Sequence, residues 1–101
     1  MPYIKENQRA FLDEAVDKNV ESISHNNILS DAEFLSISGE LNYIFSRTLG
    51  KLMGNPSYAK LAVITGVLEN IKQEFYRRVG EPYEDKKIRE NGDIKEYVNH
   101  G

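Results

Sequence analysis

The stretch Leu61-Ala-Val-Ile-Thr-Gly-Val-Leu-Glu-Asn-Ile-Lys-Gln-Glu-Phe-Tyr-Arg-Arg-Val79 decides the fold class. Its large apolar residues, Leu61, Ile64, Leu68, Ile71, Phe75 and Val79, recur every three or four positions, which is the period of one helix face and not the alternation of a strand. Gly80 and Pro82 follow, so the reading stops this helix at residue 79. Upstream, Gly54 can end a preceding helix and Asn55-Pro56 can open this one.

Working outward, the same period runs through Ile4, Phe11, Leu12, Ala15, Val16, Val20 and Ile23, with Asp13, Asp17 and Glu21 as a carboxylate ridge on the far side. After the polar break Ser24-His-Asn-Asn, Ser30-Asp-Ala-Glu33 has the form of a capping box. The stripe Phe34, Ile37, Leu41, Ile44, Phe45, Thr48 and Leu52 then continues to Gly54. The expectation is an all-α protein, a compact bundle of three main helices plus a short fourth and a C-terminal tail. It forms a single helical domain over 1–101, with helices at about 5–23, 31–53, 56–79 and 82–91 and a tail at 92–101. The short break at residues 54–55 predicts that the second and third helices pack as an antiparallel hairpin. The tail is open to three readings: a short helix, an edge strand or a frayed end.

A chain of 101 residues supports one core, near the size at which burial only just exceeds chain entropy, so a homo-oligomer is expected. The net charge of −3 gives no field that gathers nucleic acid, which argues against general nucleic-acid binding. The absence of cysteine removes disulfides, thiol catalysis and cysteine metal sites. The start has no apolar run of signal-peptide length. No segment reaches the roughly 20 apolar residues of a membrane span, so a cytoplasmic protein without a membrane partner is expected.

The charge is concentrated. Of the 30 residues from Glu69 to Val98, 15 are charged, and Tyr76, Tyr83 and Tyr97 are set among them. An ideal helix turns about 100° per residue, which groups Glu69, Lys72 and Tyr76 on a flank beside the apolar face and leaves Arg77 pointing outward. Lys72, close to the apolar stripe, should be partly desolvated and want Glu69 or Glu84 as a partner. Glu74 and Arg78 read as an ordinary i,i+4 ion pair. Arg77 can hold a phosphate or carboxylate bidentately, or simply favour a helix C-terminus. In the second helix, Glu40, Tyr43 and Arg47 share the side opposite the core. They are either an interface or ligand surface, or a surface tyrosine stacked on an arginine.

The segments Gly39-Glu-Leu-Asn-Tyr43, Gly66-Val-Leu-Glu69, Glu74-Phe-Tyr-Arg-Arg-Val79, Pro82-Tyr-Glu-Asp85, Lys87-Ile88 and Asn91-Gly-Asp93 together resemble the pattern of a family of short uncharacterised bacterial and bacteriophage proteins. The resemblance covers most of the chain and brings no activity with it. It implies that the polar residues of these motifs are characteristic of the group and that a bacterial or phage-infected cytoplasm is the setting.

Three functions follow as expectations. The first is a non-enzymatic, oligomeric binding protein that takes an anionic, nucleotide-like small molecule or a host protein through Tyr43, Arg47, Glu69, Lys72, Tyr76, Arg77, Tyr83, Asn91 and Asp93; a phage counter-defence role is one form of it. Tyrosine can stack on a ring, lysine and arginine can hold phosphate, and Asn91 or Asp93 can accept from ribose or amino groups. The second is a structural or assembly protein with no small-molecule ligand. The third is a relative of the magnesium-dependent all-α nucleotide pyrophosphohydrolases. Those sites need paired carboxylates facing one cleft, whereas the Asp13, Asp17, Glu21 ridge points to solvent and Glu69 and Glu74 lie about 140° apart around their helix. His25 and His100 have no ligand spacing, and no phosphate loop, serine elbow or zinc motif occurs. No catalytic residue, metal or cofactor is therefore assigned.

Overall fold

The computed structural model describes residues 4–98. The protein is all-α, 83% helical, with no strand among the described residues. The chain divides into two units, Met1–Gly54 and Asn55–Gly101. His100 and the other residues of the tail beyond Val98 lie outside the described residues, as does the chain start before Ile4.

The first unit holds α1 (Glu6–Ser24), α2 (Asp31–Ser36) and α3 (Ser38–Met53). At the start of α1 the Lys5 amide donates to Gln8 Oε1 at 3.1 Å. The helix ends where His25 and Asn26 both take left-handed backbone angles, φ 53° and 63°, with the His25 amide on the Glu21 carbonyl at 2.8 Å. His and Asn are among the residues that tolerate that region, so the polar break after Ser24 is a turn in the chain direction. Both halves of the capping box on α2 are formed. The Glu33 amide donates to Ser30 Oγ and the Ser30 amide to Glu33 Oε1, each at 3.2 Å.

The expected helix over 31–53 is two helices. Ser36 Oγ donates to the Glu33 carbonyl at 2.7 Å, the same carbonyl that the Ile37 amide would use in an unbroken helix. That amide bonds to Phe34 instead, at 3.3 Å, and Ile37 sits at φ −84°, ψ −1°. Ile37 is also the only buried apolar side chain among the described residues, at 7% exposure. Leu41, Ile44, Leu49 and Met53 are half-buried, while Phe34, Phe45 and Leu52, expected in the core, are open. Gly54 ends α3 at φ 61°, as a glycine C-cap.

The second unit begins α4 (Tyr58–Phe75) at Ser57, whose hydroxyl accepts from the Lys60 amide at 3.2 Å. The expected stop at Gly80 and restart at Pro82 do not occur. Tyr76–Gly80 form a π turn that runs directly into α5 (Glu81–Asn91), and Phe75, Tyr76, Gly80 and Glu81 all keep right-handed helical angles. One helix of about 50 Å therefore extends from Tyr58 to Asn91. Pro82 cannot donate to the ladder and its ring crowds the carbonyl four residues back; the wider turn before it relieves both conflicts without ending the helix. The Gly92 amide closes α5 on Ile88 at 2.8 Å with φ 82°, as the Asn91-Gly92 pair predicts. Of the three readings of the tail, residues 95–98 take the helical one as α6 (Lys95–Val98).

Removing the hydroxyl in Ser30→Ala should lower unfolding free energy by about 1 kcal/mol in urea titration, the cost of a lost N-cap. The backbone and hydroxyl of Ser30 hold the Glu33 carboxyl below its ordinary 4.5. A depressed carboxylate contributes stability above its unfolded value and loses it as pH falls through the folded one. The wild type should therefore lose more stability than Ser30→Ala between pH 5 and the acid limb.

Candidate functional site

The π turn organises the polar surface of the long helix. Its closing bond runs from the Glu81 amide to the Tyr76 carbonyl, five residues apart. The Tyr76 ring lies against Gly80 so closely that a Cβ there would stand 2.7 Å from Tyr76 Cδ2. Beyond the glycine, the Tyr76 hydroxyl donates to Glu84 Oε2 at 2.7 Å. That hydrogen bond, followed by partial desolvation and the nearby charges of Glu84, Glu81 and Asp85, raises the Tyr76 hydroxyl above its ordinary 10.0. The ring is thus fixed at both ends while 47% of the residue stays exposed.

On one side of Tyr76 is a cleft of about 370 Å³ lined by Glu69, Lys72, Gln73, Tyr76, Arg77 and Glu81. Four of the residues assigned from sequence therefore meet. Glu69 is not the partner of Lys72; it accepts from Gln73 Nε2 at 2.9 Å, and Glu84 is taken by Tyr76. Lys72 is exposed, contrary to the expected partial burial, and its ammonium has no ion pair or hydrogen bond among the described residues. Glu74 pairs with both Arg77, at 3.2 Å, and Arg78, at 3.1 Å.

A second cleft, of about 390 Å³, gathers Tyr83, Glu84, Lys87, Asn91, Asp93 and Tyr97, among others. Here Tyr83, Asn91 and Asp93 meet, and Lys87 Nζ stands 5.5 Å from the centre of the Tyr83 ring while pairing with Glu90 at 3.2 Å. Asp93 Oδ1 accepts from the Ile94 amide at 2.7 Å, so one of its oxygens is engaged by its own turn.

Tyr43 and Arg47 belong to the first unit and form a pair by themselves. Arg47 donates to the Tyr43 hydroxyl at 3.2 Å, with the guanidinium carbon 5.8 Å from the ring centre. That is the simple stacked pair that the sequence left as one of its two readings. Gln73, Glu81, Lys87 and Tyr97 were not singled out from sequence as cleft residues. Gln73 was legible at i+4 from Glu69 and Lys87 at i+4 from Tyr83, whereas Glu81 depends on the π turn and Tyr97 on the Gly92 turn. Among the described residues no three His, Asp or Glu side chains come together as a metal site.

A family model described as a domain of unknown function (DUF6899) matches residues 1–94. The chain belongs to this family. The DUF6899 match takes in both helical units and every assigned residue through Asp93, and stops short of Tyr97. No curated protein and no solved structure matches the chain.

Two measurements check the geometry of this DUF6899 surface. Alanine exceeds glycine by about 1 kcal/mol in helix propensity. Gly80→Ala should fail to realise that gain in the wild type, where the added methyl meets Tyr76, and should realise it in a Tyr76→Ala background. A raised phenol favours the folded state below its unfolded value, and that contribution is lost as pH rises through the folded one. Alkaline absorbance titration should therefore show a tyrosine ionising above pH 10 that returns toward 10 in Glu84→Gln.

Proposed function

We propose that this chain is a non-enzymatic binding protein, oligomeric and cytoplasmic, whose long helix takes a small anionic ligand with a flat ring, of nucleotide type, at the Lys72–Tyr76–Arg77 cleft. The observation that carries this reading is Lys72: an exposed ammonium with no partner among the described residues, beside a fixed aromatic ring. A lysine in that position is a point charge available to phosphate. Arg77 can turn to the same anion, because Glu74 keeps Arg78 when Arg77 leaves. The pinned Tyr76 ring offers a stacking surface whose ordering cost is met before binding.

Glu69 and Glu81 restrict the ligand. They line the same cleft, so they would repel a polyphosphate and accept hydrogen bonds from amino or hydroxyl groups. A monophosphate or phosphodiester nucleotide fits this balance better than a triphosphate. In an infected bacterial cell, sequestering such a signal would be a counter-defence role.

A second reading, an assembly protein without a small ligand, draws on the apolar faces both units leave open, such as Phe11 at 89% and Phe75 at 65% exposure. Isothermal titration against nucleoside monophosphates, cyclic nucleotides and triphosphates separates the two. The binding reading expects saturable heat with a mono- or diester nucleotide, at least tenfold weaker in Lys72→Gln, and no magnesium-dependent release of pyrophosphate. Absence of heat with every nucleotide at millimolar concentration would leave the assembly reading.

A further inference from the structure

The apolar face of the long helix has a more regular spacing than an ordinary amphipathic helix. Leu61, Ile64, Leu68, Ile71 and Phe75 are separated by three, four, three and four residues, which is the seam of a helix that winds against another helix. Continued without interruption, the seam would next call on residues 78 and 82, which are Arg78 and Pro82. The π turn holds one residue more than an α turn, and an extra residue rotates everything after it by about 100°. Val79 and Tyr83 consequently take the two places. The turn thus carries an apolar seam past a charged residue and a proline.

Among the described residues of its own unit, none covers this seam along its length. Ile64 is half-buried, while Leu61 and Leu68 are 46% exposed, Ile71 57%, Phe75 65%, Val79 53% and Tyr83 60%. We infer that the seam from Leu61 to Tyr83 is the surface on which copies of this chain associate, helix against helix, with the π turn setting its register. The inference names the interface of the oligomer in the reading above and rests on that oligomer, not on the ligand.

Three observations favour a second copy as the occupant. The open seam side chains amount to on the order of 600 Å² per copy, and the flanking Thr65 and Val67 bring this toward the roughly 800 Å² per partner of a stable interface. The seam is continuous for about 33 Å and uniform in chemistry, so the same face on another copy complements it along its whole length. Its flanks carry both signs, Glu69 with Lys72 on one side and Glu74 with Arg78 on the other, so no single-sign field selects a different, oppositely charged partner. Lys72, on the flank beside the seam, lines the first cleft and Tyr83 lines the second. A copy seated on the seam would therefore border both clefts.

The test combines light scattering with cysteine crosslinking of the full chain, which has no native cysteine. Ile71→Glu, Phe75→Glu and Val79→Glu should each convert an oligomer to a monomer that stays helical by circular dichroism, while Arg78→Glu leaves the oligomer intact. Because a seam glutamate can also unfold the chain, single cysteines provide a second reading. Leu68→Cys, Ile71→Cys or Phe75→Cys should give a covalent dimer on mild oxidation, and Asn70→Cys and Gln73→Cys on the opposite face should not. An oligomer that survives every seam glutamate and crosslinks only through Asn70 or Gln73 overturns the seam and leaves the oligomer standing. A wild-type chain that is monomeric at all concentrations overturns both.

Discussion

The packing of Tyr76 on Gly80, tied down by its hydroxyl on Glu84, is the constraint on which the second unit depends. It occurs inside a turn that carries one residue more than an α turn, immediately before a proline that would otherwise end or kink the helix. Any side chain larger than hydrogen at position 80 would have to displace the ring. With the ring in place, α4 and α5 form one helix, the first cleft lies beside Tyr76 and the second further along α5, and the apolar residues after the turn continue the line of those before it. One local contact therefore sets both the polar and the apolar surface.

The apolar side has an energetic consequence. An isolated helix draws most of its stability in proteins from burying an amphipathic face, since nucleation is unfavourable and propensity alone is marginal. Here that face remains open along most of its length within its own unit, and Ile37 is the only buried apolar residue among those described. Surface ion pairs such as Lys87 with Glu90 contribute at most a few tenths of a kcal/mol each and cannot substitute for that burial. In the association proposed above, a second copy on the seam would offset the deficit and give the polar residues beside it an enclosing wall.

Much of the architecture was legible in the sequence because it rests on local chemistry. The helical class follows from apolar spacing, the start of α2 from Ser30 and Glu33, and the ends of α3 and α5 from Gly54 and Gly92. The deviations came from side chains that compete with the backbone ladder. Where Ser36 bonds back to the Glu33 carbonyl, the Ile37 amide leaves the helical ladder and one expected helix becomes two. Tyr76 and Gly80 support a wider turn and join two expected helices into one. Glycine near proline ordinarily marks a stop, and only the i,i+4 packing of a ring onto the glycine reverses that meaning. The grouping of Glu69, Lys72, Tyr76 and Arg77 was readable from angular position, but the freedom of Lys72 was not, because Gln73 and Tyr76 take the carboxylates it was expected to use.

The central claim is that the helix carrying this turn is stabilised by association along its apolar seam. Thermal unfolding followed by circular dichroism at protein concentrations spanning a hundredfold range tests it most directly, because only an associating native state makes the midpoint depend on concentration. The account predicts a midpoint that climbs by several degrees with each tenfold increase in concentration. A midpoint that stays constant across the whole range would contradict it.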